Sequence, residues 1–590
     1  MSGIFPQALA ARQGDMFALY DCASQGLNLA PDDEHLRYLQ SLALARLCEP
    51  AAALALYQRN RVAQIGTEDA LALKGRILKD MAVLADKPAQ RTLFAQASEA
   101  YKVANAIGDG YFSAINAATT AFLAGDGQAA VALAAAIAAR PEIARPADYY
   151  AAATAAEAML LRRQIDTAAA QLEQACSLAG ASLGARASTI RQFGLIADHL
   201  GLGESDRARL LRPIRIPPVL HYCGHMFVDG WQAETGLAAA IAADLDETGA
   251  IVAYGALACG ADILVAEALL DRGAEVNIVL PFEEEDFIAA SVTPGGQRWV
   301  DRYKAVRQRA ASFTLATQMR FIGDDNQFSY CSQLAMGLAR LRARVMQADA
   351  VQLALSDGAP PGGTAGTAVN IAEWGRQGGR TRIIAVAADR PRLPLPSAVV
   401  GYAGPKRKVH AILFADFSGF SKLTELELPD FLDSVMGRIS TILDRYGDRV
   451  LSCNTWGDAV HAVIDVPETA AAIALEIQAQ LGGEHLAAIG LPEDGGMRIS
   501  LHLGPIYESF DPIRKERTFF GTEVTLAARI EPRVPVGSIY VTQPFAAMID
   551  KNAAAGLSFE YVGNLKLAKN YGSRVIYRLI KSEVSSVPED

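Results

Sequence analysis

Four helix-breaking turns recur at one fixed step in the first third of this 590-residue chain. They fall at Cys48-Glu49-Pro50, Asp86-Lys87-Pro88, Ala124-Gly125-Asp126 and Arg162-Arg163-Gln164, so the starting positions 48, 86, 124 and 162 lie 38 residues apart. The Ala- and Leu-rich segments between them carry helical apolar spacing. A helical hairpin repeated at such a period buries its apolar face only against its neighbours, so the repeats stack into a solenoid. Small residues such as Ala117, Ala118, Ala152 and Ala155 let the helices approach closely.

Residues 1–210 are thus expected to form a helical repeat domain. The region resembles tetratricopeptide-type repeats, with a step longer than their usual ~34 residues. Such solenoids present extended concave surfaces, which favours a protein-binding groove over a mere spacer.

The rest of the chain cannot follow this pattern. Pro213, Pro217 and Pro218 break it, and strands then alternate with helices to about residue 390. "GAIVAYGALACGADILVAEALLDRGAEVNIVLPF" reads as strand, turn, helix, Gly273 turn, strand. "ADAVQLALSDG", "APPGGTAGT" and "TRIIAVAA" give a second strand–loop–helix–strand unit, its helix running through Trp374. Two βαβ units imply a parallel sheet covered on both faces, with ligands bound beyond the carboxyl ends of the strands. No Gly-Lys dipeptide occurs, which excludes a P-loop. With "HYCGHM" on the opening strand, residues 215–390 resemble the Rossmann-like SLOG nucleotide-sensing domains, which implies a nucleotide ligand; the other reading is an α/β domain that only packs. His221, Cys223 and His225 alternate on one strand, but no fourth zinc ligand accompanies them. A core strand with a satisfied histidine is the expectation. Residues 391–408, with four prolines and a basic end, read as a linker.

Composition narrows the function. A net charge of -10 argues against a nucleic-acid partner. Seven scattered cysteines without a CxxC pair suit a reducing cytoplasm. The opening MSGIFPQALAARQGD lacks a basic region followed by an apolar core, and no apolar run reaches the ~20 residues of a membrane span. The expectation is a soluble cytoplasmic protein.

From residue 409 the order is strand 409–416, helix 429–446, a tight hairpin of strands 449–454 and 459–464, and a helix near 467–481. Strands near 497–503 and 505–510, a helix near 521–530, strand 538–542 and strands near 558–563 and 574–580 follow. This is an α+β series of ferredoxin-like order. "HAILFADFSGFSKL" carries Asp416 out on a strand towards Gly419, and "SCNTWGDAVHAVI" sets Asp458 after Gly457 at the hairpin hinge. Neighbouring strands would bring both carboxylates to one sheet edge. Two carboxylates suit a pair of Mg²⁺ ions, hard cations that keep phosphate and water ligands. Gly419 lets the backbone near phosphates, with the N–H groups of Phe420 and Ser421 available to cradle them.

"FADFSGFSKL", "NTWGDAVHAVI", "LHLGPIY", "FFGTEVTLAARIEP" and "VGNLKLAKNYGSRVIYRL" make residues 409–580 resemble the class III nucleotidyl cyclase homology domain. The resemblance implies that Asp416, Asp458 and the Phe417 carbonyl hold two Mg²⁺ or Mn²⁺ ions, and that Arg529 stabilises the transition state. It also implies a head-to-tail homodimer with metals from one copy and Arg529 from the other. The base-reading positions fall on Asn454, in place of the usual Lys, and Thr518; the ribose-positioning Asn falls on Thr525. The triphosphate-binding Lys falls on Ala568, with Lys569 beside it. The expected reaction converts ATP to cyclic AMP and pyrophosphate, regulated by the preceding domains. Asn454 both donates and accepts, so a pyrimidine cyclase for UTP or CTP in defence signalling stays open. A nucleotide-binding scaffold without turnover is the other alternative.

Overall fold

The computed structural model describes residues 16–47, 49–388, 390–391, 393, 405–488, 491, 495–551, 556–568 and 572–581. They divide into two compact units, one built on the solenoid and one holding two sheets.

The solenoid helices are α1 (Met16–Leu29), α2 (Glu34–Arg46), α3 (Pro50–Arg59), α4 (Glu68–Leu84), α5 (Lys87–Gly108), α6 (Tyr111–Leu123), α7 (Gly127–Ala138), α8 (Tyr149–Leu161), α9 (Ile165–Cys176), α10 (Leu183–Leu200) and α11 (Glu204–Leu211). Short polar residues start many of them. The side chains of Asp86, Asp126 and Asp148 accept the N–H groups of Ala89, Ala129 and Ala151, which the helix would otherwise leave unbonded. The expected turns separate α4 from α5, α6 from α7 and α8 from α9. Ala117, Ala118, Ala152 and Ala155 are buried where these helices meet.

The second unit opens with β1 (Val219–Gly224), β2 (Val252–Gly255), β3 (Glu275–Leu280), β4 (Ser312–Leu315), β5 (Ala350–Ser356) and β6 (Arg380–Ala385). All pair in parallel in the order β4-β3-β2-β1-β5-β6, so the direction of winding reverses between β1 and β5. His221 is a core histidine: it meets Gln352 at 3.2 Å and stacks on Trp374, and burial pushes it down to about 3. Among the described residues no three His, Cys, Asp or Glu side chains converge as a metal cage. Nor is any helix long and apolar enough to cross a membrane.

The second sheet contains β7 (Arg407–Ser418), β8 (Val450–Trp456), β9 (Ala459–Ile464), β10 (Gly496–Asp511), β11 (Glu516–Phe520), β12 (Ile539–Thr542), β13 (Leu557–Lys566) and β14 (Ser573–Lys581). Its order is β13-β14-β12-β10-β7-β9-β8, with β11 on β10. Three expectations need correction. Of the linker, residues 392 and 394–404 lie outside the described residues, and β7 already begins at Arg407, opposite Tyr507. Residues 497–503 and 505–510 are one strand, because Gly504-Pro505 stays paired to Val409 and His410 instead of turning. Gly504 is needed there for another reason: a Cβ would lie 2.7 Å from Glu523 Cγ. The helix expected over 429–446 is interrupted by a π-turn at Leu432–Met436 before its regular part, Gly437–Tyr446.

Helix α12 (Asp325–Met346) joins the two sheets. Its Tyr330 hydroxyl donates to Leu503 O at 2.8 Å, and Gln327 Oε1 accepts from the Arg407 guanidinium at 2.8 Å. Asp324, just before it, accepts the Arg407 N–H at 3.0 Å. The anchored residues lie on β7 and β10, the strands that carry the candidate site.

Candidate active site

Strand register decides which carboxylates meet. Ala415 pairs with Val460 on β9, so Asp416 stands just past the end of that pairing, at the same end as the β8–β9 turn. That turn is Gly457-Asp458, closed by Trp456 opposite Ala459. Gly457 has φ 63°, which a two-residue hairpin of right-handed twist requires and a side chain resists. Asp458 therefore stands beside Asp416. Burial pushes its carboxyl up from the ordinary range, and the Asp416 charge adds to the effect.

Two residues absent from the sequence reasoning complete this cluster. Arg498 is the direct cross-strand partner of Asp416 and bonds its carboxylate. The same guanidinium lies 3.1 Å from Glu531 Oε1, whose carboxyl burial pushes up to about 7. Two carboxylates thus hold one guanidinium, and with Asp458 nearby negative charge is in excess. Alternation offered a signal for Arg498, which stands between the buried Met497 and Ile499. Glu531 had only its place after "LAARI".

Oxygen donors with surplus negative charge fit a divalent cation. The Phe417 side chain is buried against Phe431, ring centroids 5.0 Å apart, so the backbone is its polar contribution here. Gly419 has φ 105° and opens a short 3₁₀ turn, in which Lys422 N–H bonds Gly419 O and Leu423 N–H bonds Phe420 O. That pattern leaves the N–H groups of Phe420 and Ser421 at the head of the turn.

The remaining candidates do not join the carboxylates. Thr518 on β11 pairs with Ser509, which lies on β10 roughly 35 Å of strand beyond Arg498 at ~3.3 Å per residue. Asn454 on β8 stands opposite His461, and β11 lies against β8. The Asn454 Oδ1 is buried without a hydrogen-bond partner, in a position to take one from a guest. Thr525 and Arg529 belong to α13 (Thr522–Ile530). Thr525 is exposed, whereas the Arg529 Nε is buried and unbonded. Glu523 at the head of α13 bonds His502 of β10 at 2.7 Å, which fixes the helix along that strand. Lys569 lies outside the described residues.

Residues 402–580 match the adenylate and guanylate cyclase catalytic domain family, and residues 14–121 match the Tetratricopeptide Repeats-Sensor family. No curated protein matches the chain. Among solved structures, the adenylyl cyclase CyaB from P. aeruginosa is 20% identical, covers 30% of this chain and 97% of its own, and gives a TM-score of 0.26. The guanylate cyclase domain of RhGC from Catenaria anguillulae, in complex with GTP, is 20% identical, with 30% of this chain and 100% of its own covered and a TM-score of 0.26.

Proposed function

Since residues 402–580 match the adenylate and guanylate cyclase catalytic domain family, we propose that the chain converts ATP to 3′,5′-cyclic AMP and pyrophosphate at sites shared by two copies. The observation that carries this reading is the division of the candidates. Asp416 and Asp458 meet at one sheet end, while Thr518 lies far along β10 from them. A nucleotide held at the carboxylates has its base read by a second chain. Trp456, Leu426 and Leu432 (78%, 87% and 61% exposed) supply apolar surface near the carboxylate end for that pairing.

Asp416, Asp458 and the Phe417 carbonyl would hold two Mg²⁺ or Mn²⁺ ions, which lower the pKa of the ribose 3′-hydroxyl and offset charge on the departing pyrophosphate. The 3′-hydroxyl passes its proton to solvent water as its oxygen attacks the α-phosphorus in line, and the bond from that phosphorus to the α–β bridging oxygen breaks, releasing pyrophosphate. Phe420 and Ser421 N–H groups orient the phosphates, which Gly419 lets come close. Arg529 of the partner subunit faces the charge that develops, already fixed by α13 and so without reorganisation. Thr525 positions the ribose, Lys569 serves the triphosphate, and Asn454 with Thr518 reads adenine. The solenoid and the parallel sheet set the input: the first for a protein partner, the second for a nucleotide ligand beyond β1 and β5, signalling through α12. The unbonded Asn454 Oδ1 also suits the N3–H of uracil, which keeps a UTP cyclase as the second reading.

The test is the purified full chain with Mn²⁺ or Mg²⁺ and ATP, GTP, CTP or UTP in turn, products separated by chromatography. Cyclic AMP from ATP, lost in Asp416→Ala, is expected. Turnover of UTP alone overturns the adenine assignment. Binding without turnover of any of the four makes the domain a scaffold.

A further inference from the structure

The solenoid encloses a hollow of about 90 Å³, lined from α4, α5, α6, α8 and α10. Its wall is charged where a structural cavity would be apolar. Lys79 is 9% exposed, and its ammonium donates only to neutral amides, Asn116 Oδ1 at 3.1 Å and Gln192 Oε1 at 2.5 Å. Arg76 and Arg191 line the same space. Among the described residues no carboxylate lies within ion-pair distance of Lys79 or Arg191. Arg76 Nε forms an ion pair with Asp80 Oδ2 at 3.7 Å, beyond hydrogen-bond distance, and neither atom has a hydrogen-bond partner.

Two carboxylates share the wall with the three cations, so one positive charge is left over. Asp80 is taken up by its ion pair with Arg76. Glu157 Oε1 accepts from Thr119 at 2.5 Å and Gln192 Nε2 at 2.7 Å, and burial raises its pKa. A second hollow of about 30 Å³ shares Arg76 and Arg191 and adds Arg46, whose proton affinity burial and those two neighbours lower. Arg76, Lys79 and Arg191 therefore come together from two helices, α4 and α10. Gathering like charge out of water is costly unless a counter-ion joins it.

We propose that this hollow is a binding site for a phosphoryl group, seated between Arg76, Lys79 and Arg191. Three convergent donors match the acceptor oxygens of one phosphoryl group, and the volume admits little more. The group is either free phosphate or the end of a phosphomonoester whose body extends past Phe112 and Tyr150, which line the same space and are 46% and 45% exposed.

Calorimetric titration of the full chain, free of metal and nucleotide, tests this with two probes, orthophosphate and phenyl phosphate. Saturable binding of both is expected. Tighter binding of phenyl phosphate points to an esterified ligand, and equal binding to the free ion. Arg191→Gln and Arg76→Gln each weaken it at least about tenfold, the scale of one charge-assisted hydrogen bond. Asp416→Ala and Arg529→Ala leave it unchanged, which separates this site from the catalytic domain. Arg191 is only partly buried, so its substitution keeps the test open if Arg76→Gln fails to fold. Absence of saturable binding, or binding indifferent to both arginine variants, overturns the proposal.

Discussion

Charge of one sign collects in two regions of this molecule, with opposite signs. The solenoid hollow sets Arg76, Lys79 and Arg191 against Asp80 and Glu157, and the end of β7 sets Asp416, Asp458 and Glu531 against the single guanidinium of Arg498. The junction between the sheets is built otherwise. There the Arg407 guanidinium is buried with Gln327 Oε1 and Arg320 O as acceptors and Asp324 as its ion-pair partner at 3.8 Å. The difference teaches how to read buried charge. Where the chain's own charges balance, the group is structural; where one sign is left in excess, a guest is expected, and the sign of the excess gives the class of guest.

The largest effect should follow from removing charge at the carboxylate end. Asp416→Asn keeps the shape and hydrogen-bonding size of the side chain but deletes one of two anionic donors. Turnover of ATP is expected to fall by about a thousandfold or more, the scale of losing a group that acts on transition-state charge. The melting temperature should change little, because the weakened bond to Arg498 is offset by relief of like-charge repulsion at Asp458. Loss of cooperative unfolding would make Asp416 structural and remove the contrast with Arg407. Mixing Asp416→Ala with Arg529→Ala sharpens the same point. Each alone is expected to be inactive, and reassorted dimers should regain roughly a quarter of the wild-type rate through one intact site. No recovery would put metals and Arg529 in the same chain.

Much of the fold was legible because it rests on local periodicity. The 38-residue step gave the solenoid, and alternating strand and helix patterns gave the parallel sheet. Asp416 and Asp458 were legible for a similar reason: each ends a well-marked strand or sits in a two-residue turn. Arg498 and Glu531 were not, because their meaning depends on register between β7 and β10 and on the fall of α13 along β10. Gly504-Pro505 misled for the opposite reason. Its residues signal a turn, but His410 and Val409 hold them in the ladder, and tertiary pairing overrides the local preference. The cationic hollow was equally hidden, since Arg76, Lys79 and Arg191 come together only when α4 and α10 pack.

The next effect concerns the neutralised region. Arg407→Met leaves Asp324 buried with one fewer counter-charge, so the unit holding both sheets should lose about 3 kcal/mol of stability, whether or not phosphate or metal is present. Thermal unfolding followed by fluorescence reads this. A smaller loss that appears only with ligand bound would place Arg407 with the guest-dependent charges and dissolve the distinction.

The smallest effect is a slope. Burial, opposed by Asp80 and Glu157 but reinforced by Arg76 and Arg191, holds Lys79 at about 8, against 10.5 in the open chain. Between those two pH values the unfolded chain keeps a proton that the folded solenoid has released, so stability rises with pH through that window. Below about pH 8 both states are protonated and the full cost of the buried ammonium stands. A shift of this size corresponds to about 3 kcal/mol across the window. Lys79→Gln should abolish that rise in denaturant melts taken from pH 7.5 to 10.5, after other titrations cancel in the difference between the two proteins. Phosphate makes the comparison sharper. A bound anion keeps Lys79 charged, so saturating orthophosphate should flatten the wild-type slope and leave the variant's untouched. A slope of the opposite sign would mean that Lys79 is paired within the chain, as Arg407 is.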